Sequence, residues 1–248
     1  AAGFSALVIA LMLRKRKDFS AAHIKPYDTG MIILGMALLW FGWFGFNAGS
    51  ALAANGLAAH AFATTFFAGA AALVSWVMMD VYTKGKPSAI GAAIGAVAGL
   101  VTITPAAGYV TPMAAIVMGL LGGVVCNFSV SLLKEKFHLD DTLDVFGCHG
   151  VGGTLGSLLT GVFATKSVNP AGADGLLYGN PSLLGAQTIA CLGVIAFSVI
   201  ITFLIVQLIA AFTPIVVTED EEEIGLDQSQ HGELINSNFY STAAEGKV

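Results

Sequence analysis

The sequence predicts an all-α fold, a polytopic bundle of membrane-crossing helices. Three observations carry this expectation. Hydrophobic residues make up 56% of the chain and charged residues only 11%, with a mean hydropathy of +0.79; a soluble domain holds about 25% charged residues. The apolar residues fall in long runs separated by short polar joints. Lysine and arginine, finally, concentrate in alternate joints.

Taken in order, the runs predict membrane segments at about 1–13, 31–49, 57–82, 89–104, 112–133, 143–164 and 183–212, most of them near the ~20 residues that a bilayer requires. The 89–104 run is short, and the 183–212 run is long enough to tilt or to project beyond the hydrocarbon. The chain opens inside an apolar run, "AAGFSALVIALML", and its basic cluster follows that run. A leader peptide has the opposite order, so the expectation is a chain cut inside a helix and belonging to a longer protein. Two regions are expected: a membrane domain over 1–213 and a tail over 214–248.

The joints set the orientation. "RKRKDFSAAHIKPYD" holds five Lys or Arg, "TKGKPS" two and "LLKEKFHLDD" two, whereas the intervening joints hold none, none and one. Positive residues stay on the cytoplasmic side, so the basic joints and the tail are expected there. The net charge of −5 comes largely from "TEDEEE" in the tail and implies no basic partner. Cys126, Cys148 and Cys191 sit in apolar runs without a disulfide or metal pattern. Glycines four apart (Gly91, Gly95 and Gly99; Gly119 and Gly123; Gly152 and Gly156) suit helix backbones in close approach.

Three stretches could carry chemistry. In "DVFGCHGVGG", His149 lies six residues into its segment, inside the hydrocarbon. Two readings stand: a functional imidazole, the default for an ionisable group in a membrane, or a neutral histidine bonded to a neighbouring helix. Asp140, Asp141 and Asp144 of "LDDTLD" read as caps and anchors at a helix start. In "LWFGWFGFNAGS", Trp40 and Phe44 read as an interfacial aromatic belt. Phe46 and Ser50, four apart, share a face where a ring and a hydroxyl can attract a small cation. In "TITPAAGY", Pro105 ends or bends a helix, and Thr104 either satisfies a carbonyl or lines a pore. His23, His138 and His231 read as solvated; His60 faces a lumen or a neighbouring helix. No hydrolase, metalloprotease or nucleotide-binding motif is present. Neither an enzyme, a cofactor, a metal nor a nucleic-acid partner is expected.

The stretches "GWFGFNAGSALAANGLAA", "GKPSAIGAAIGAVAGLVTITPAAGYV" and "LDDTLDVFGCHGVGG", in this order, resemble the ammonium transporter family (Amt/Mep/Rh), and the wording is similar to bacterial or archaeal Amt; the likeness runs from residue 1 to about 233, through "GLDQSQHGE" in the tail. The resemblance implies an eleven-helix fold, with an inverted repeat of five helices and a long last one, assembled as a homotrimer with a pore in each protomer. This chain would hold the end of the fifth helix, the second repeat and the last helix. Residue by residue, it implies that His149 is one of two pore histidines, Phe46 one of two gate phenylalanines, Ser50 the hydroxyl of an outer ammonium site, Trp43 and Thr104 pore-lining, and Asp144 a structural acid on the cytoplasmic side. The partner histidine, the second gate ring and the other outer-site residues would belong to the half that precedes Ala1. The implied function is passage of ammonium or ammonia through a hydrophobic pore. Two alternatives remain: a neutral gas channel like the Rh proteins, and an ammonium sensor acting through the tail, which would dock a PII-type regulator.

Overall fold

A computed structural model describes residues 1–17, 19, 26 and 28–233. His23, expected to be solvated, and the tail beyond Glu233 lie outside the described residues. The described chain is all helical. Its elements are α1 (Ala2–Met12), α2 (Thr29–Gly49), α3 (Gly56–Lys84), α4 (Ala89–Ile103), α5 (Pro112–Glu135), a π-helical turn (Phe146–Val151) continuing into α6 (Gly152–Phe163), α7 (Pro181–Ala210) and two short tail helices, α8 (Glu219–Ile224) and α9 (Leu226–His231). Four of these, α2, α3, α5 and α7, are long and apolar enough to cross a membrane; α1 and α4 are shorter apolar helices. At 1.5 Å per residue α7 spans about 45 Å, more than the hydrocarbon of a bilayer.

Local chemistry sets the helix starts. Asp28, Asn55, Ser88 and Thr111 each accept a hydrogen bond from the backbone N–H three residues on, and Asn180 accepts one from Ser182. Such caps occupy donors that the first turn of a helix leaves unpaired. Pro112 and Pro181 occupy first-turn positions, where no N–H is needed. At the other end of α3, Gly85 takes the left-handed conformation at φ +76°. α4 stops at Ile103, two residues before Pro105, whose ring leaves no N–H to continue the helical hydrogen bonds.

The centre of the bundle is α3 packed against both α4 and α5. The buried face of α3 runs Ala61, Thr64, Thr65, Ala68, Ala72, Ser75, Trp76 and Asp80, mostly small residues at helical spacing. They let the neighbouring backbones come close. Thr64 Oγ1 donates to Ala107 O at 2.7 Å, and His60 Nε2 donates to Val110 O at 2.8 Å. Together they pin the irregular segment that follows α4. His60 thus faces a neighbouring segment rather than a lumen.

The aromatic belt is not found at Trp40. Its ring lies at the middle of α2, close enough to Gly69 that a Cβ there would meet it at 2.9 Å, and its Nε1 is buried without a hydrogen-bond partner among the described residues. Phe44 stacks on Phe62 of α3 with ring centroids 4.0 Å apart. Both rings are thus engaged in the α2–α3 contact.

Asp80, which no sequence pattern marks, is fully buried. Its Oδ1 accepts from Lys84 Nζ at 2.7 Å and from Asn127 Nδ2 at 3.1 Å. Its Oδ2 faces the first turn of α4 at Gly91, where a Cβ would sit 2.0 Å away. The positive end of the helix dipole favours a carboxylate there.

Joints rich in lysine and arginine share one end of the bundle with the tail. Arg14 pairs with Glu222 at 2.6 Å, and the Lys17 backbone N–H donates to Glu222 Oε1 at 2.8 Å. Arg16 Nε donates to Asp140 Oδ2 at 2.9 Å. Burial pushes the Asp140 carboxyl up, but the hydrogen bonds and charge of Arg16, with the charge of Lys134 behind them, outweigh it and hold the group below the ordinary carboxylate range. α8 is started by Thr218 and Glu221, each side chain bonded to the other residue's backbone.

Candidate functional site

The candidate site is an open cleft of about 510 Å³ between α1, α2, the end of α4, the π turn with α6, and α7. Trp43, Phe46, Thr104, His149, Ser157 and Gln187 are among its lining residues. Among the described residues, none of its lining side chains is Asp, Glu, Lys or Arg. A bare cation gains no counter-charge inside it, and entry of one is costly.

His149 enters the cleft from the π turn. A π turn closes hydrogen bonds five residues apart and often marks a functional site. The glycines around it make the turn possible. A Cβ at Gly147 would sit 2.6 Å from Val130 Cγ2, and one at Gly150 would sit 2.5 Å from Phe146 Cδ2. From the other side α1 brings Gly3 against the backbone of Gly150, and Phe4 meets Phe146 edge-on at 5.3 Å. No side-chain hydrogen bond to the His149 ring is present among the described residues, so its two nitrogens are free to face the cleft. A neutral imidazole carries one donor and one acceptor.

Trp43 forms the opposite wall. Its ring runs nearly parallel to that of His149, at 22° and 6.5 Å between centroids, and it meets Phe46 edge-on at 6.1 Å. Its Nε1 donates to Thr104 Oγ1 at 2.7 Å, while Thr104 Oγ1 donates to Leu100 O at 2.7 Å. Thr104 thus does both things open to it in the sequence: it satisfies a carbonyl of α4 and it lines the cleft. It also fixes the plane of Trp43.

Phe46 is 63% exposed and is among the residues that line the cleft. Ser50 caps the end of α2 one turn later and is exposed. Its Oγ donates to Phe46 O at 2.8 Å. With its proton engaged, the hydroxyl keeps only its lone pairs to offer. Asn47 between them is buried and donates from Nδ2 to Thr65 Oγ1 at 2.9 Å. That bond fixes the rotation of α2 that turns Phe46 and Ser50 toward one side. The only signal for Asn47 in the sequence is that it is an amide inside an aromatic run, and that signal does not single it out.

Asp144 stands apart from the cleft, at the entry to the π turn. It is 7% exposed, adopts φ +56°, and pairs with Lys134 Nζ at 2.6 Å. The capping job belongs to Asp141, whose Oδ2 accepts from Phe146 N at 2.7 Å, and Asp140 serves Arg16 instead. Among the described residues no group of three or more His, Cys, Asp or Glu is placed to hold a metal.

Residues 1–235 match the Ammonium Transporter Family. The chain is 50% identical over 231 residues to the ammonium transporter of Bacillus subtilis (strain 168), a match covering 93% of this chain and 57% of that protein. Among solved structures, Saccharomyces cerevisiae Mep2 superposes with a TM-score of 0.80 at 37% identity, over 85% of this chain and 50% of that one. A structure described as a Sensor Amt Protein gives 0.82 at 28% identity, over 92% and 56%. The chain spans about half the length of the relatives it matches.

Proposed function

The chain belongs to the ammonium transporter family and has its helical membrane fold, and from that premise we propose that the protein conducts ammonium across the cell membrane as ammonia and a proton. The observation that supports this most is His149, an imidazole without a side-chain partner in an apolar cleft faced by Trp43. Ammonium is drawn to the lone pairs of Ser50 and the face of Phe46. Past the Phe46 ring the walls are apolar, and the charged form is disfavoured. An N–H bond then breaks, the electron pair stays on nitrogen, and the proton passes to a ring nitrogen of His149. The ring passes a proton from its other nitrogen to the second pore histidine that the family resemblance implies, and so changes tautomer. Ammonia proceeds along the cleft, hydrogen-bonded to the ring. Potassium has no proton to give up and gains nothing from this path.

In this proposal three copies assemble, as the family resemblance implies, and the basic end with the tail faces the cytoplasm. The lysine and arginine of the joints support that orientation. The test is uptake of labelled methylammonium into transport-deficient cells. Saturable uptake, suppressed by ammonium and untouched by potassium, is the expected result. A well-expressed protein without such uptake would overturn the reading.

A sensor role is the second reading, favoured by the contacts of the tail. Glu222 and Glu223 of α8 pair with Arg14 and Lys17 behind α1, and α1 in turn packs on the π turn. The tail is thereby coupled to the element that carries His149, and a PII-type regulator docking on it would feel the state of the cleft. Deleting residues 214–248 should abolish ammonium-dependent signalling in the host and leave methylammonium uptake in place. Signalling that survives the deletion would remove this reading.

A further inference from the structure

Resting on the pore role of His149, we propose that Lys134 is a positioning residue for that imidazole: it holds Asp144 in the left-handed conformation from which the π turn starts, and the π turn sets the direction of the ring. Asp144 is one of three described residues other than glycine with positive φ, beside Leu52 and His138, and of these it alone is buried. A side chain in that region needs compensation from its surroundings. Lys134, at the last turn of α5, supplies it: Nζ lies 2.6 Å from Asp144 Oδ1, with 18% of the lysine side chain and 8% of the aspartate side chain exposed.

The placement of Asp144 governs the start of the π turn. Its carbonyl accepts from Cys148 N at 2.9 Å, and Asp141 Oδ2 holds Phe146 N at 2.7 Å. These two bonds fix the backbone at the residue just before His149 and at the residue two after Asp144. The π turn accommodates one residue more than an α turn. Without the ion pair, Asp144 can relax to the helical region and the extra residue can be expelled. In an α-helix each residue advances the azimuth by about 100°, so expelling one residue turns His149 by about that angle relative to α6. The ring would then leave Trp43 and point into α5 or α1. Lys134 touches neither the cleft nor Phe46, so the outer site is unaffected.

The experiment compares Lys134→Met, Lys134→Arg, Asp144→Asn and His149→Ala in the full-length protein, with methylammonium uptake normalised to protein in the membrane. Lys134→Met keeps the length of the side chain and removes the charge. The expected result is a maximal rate per molecule lower by about tenfold or more, because a misdirected group loses rate steeply, with a half-saturating concentration within about twofold of the parent's. Lys134→Arg keeps the charge and should stay within about twofold in both. Asp144→Asn tolerates positive φ but loses the pair, and it should repeat the Lys134→Met pattern, which keeps the test open if that variant accumulates poorly. A merely anchoring lysine would lower the amount of protein and leave the rate per molecule at the parent's value. If both charge-removing variants do so while His149→Ala has lost transport, Lys134 does not position the ring, and the pore reading stands. If His149→Ala itself transports like the parent, the pore reading falls, and this assignment falls with it.

Discussion

His149→Ala, at the parent's level in the membrane, should lower saturable methylammonium uptake by about 10²-fold or more, the lower range of what a positioned acid–base group contributes. Among the described residues the cleft lining supplies no other imidazole and no carboxylate, so His149 is the side chain there best suited to accept a proton near neutral pH and return it. Hydroxyls of Thr104, Thr154 and Ser157 are present, but those of Thr154 and Ser157 donate to carbonyls of their own helix, and that of Thr104 is shared between Leu100 O and Trp43. His149→Gln separates the two jobs of the ring. An amide can still hydrogen-bond ammonia, but it cannot exchange a proton through two nitrogens. It should therefore resemble the alanine variant in rate. Equal uptake by parent and both variants would return His149 to a packing role.

The sequence shows much of this architecture because membrane helices are written in long apolar runs with polar ends. The predicted 112–133 and 183–212 segments become Pro112–Glu135 and Pro181–Ala210, and the break expected at Pro105 is there. The residues gathered around the cleft are also readable: Phe46, Thr104 and His149 stand out in the sequence, the family resemblance adds Trp43, and all four line it. Ser50 lies beyond it, and Asp144 beneath the π turn.

The remainder depends on partners far along the chain, which a local pattern does not contain. The π turn has no periodic signature, since "VFGCHGVGG" reads equally well as an α-helix. Its existence depends on Lys134, Asp141 and the close approach of Gly3. Asp80 is hidden for the opposite reason. It stands four residues before Lys84 near a basic joint, where an acid looks solvated, yet the helix buries it against Gly91. Trp40 departs from the expected belt because an aromatic residue in an apolar helix suits an interface as well as a tight contact, and only the position of Gly69 decides between them.

Gly119→Ala should damage the packing of α5 on α3. A Cβ at residue 119 would stand 2.4 Å from Ala68 O and 2.8 Å from Ala68 Cα. Both are backbone atoms of α3, so no side chain can swing aside and α3 must move. Overpacking of this kind costs on the order of 1–3 kcal/mol, to be read as a lower midpoint of thermal unfolding in detergent. Gly99→Ala meets the same carbonyl at 2.4 Å from α4, and the Cβ of Ala72 at 2.5 Å. Because α4 and α5 also contact each other, a shift of α3 away from that pair relieves both clashes at once. The double variant should thus cost less than the two single costs added, the mark of sites that share one displacement. Gly42→Ala is the control: nothing lies within 4 Å of its added Cβ, and helix propensity alone predicts no loss. The displacement also reaches the cleft. α3 holds Asn47 through Thr65 and pins the segment after α4 through Thr64 and His60, so a shifted α3 disturbs Phe46 and Thr104 together. Gly119→Ala should lower uptake per molecule as well as stability. An unchanged unfolding midpoint would mean that α3 and α5 are not in the contact described.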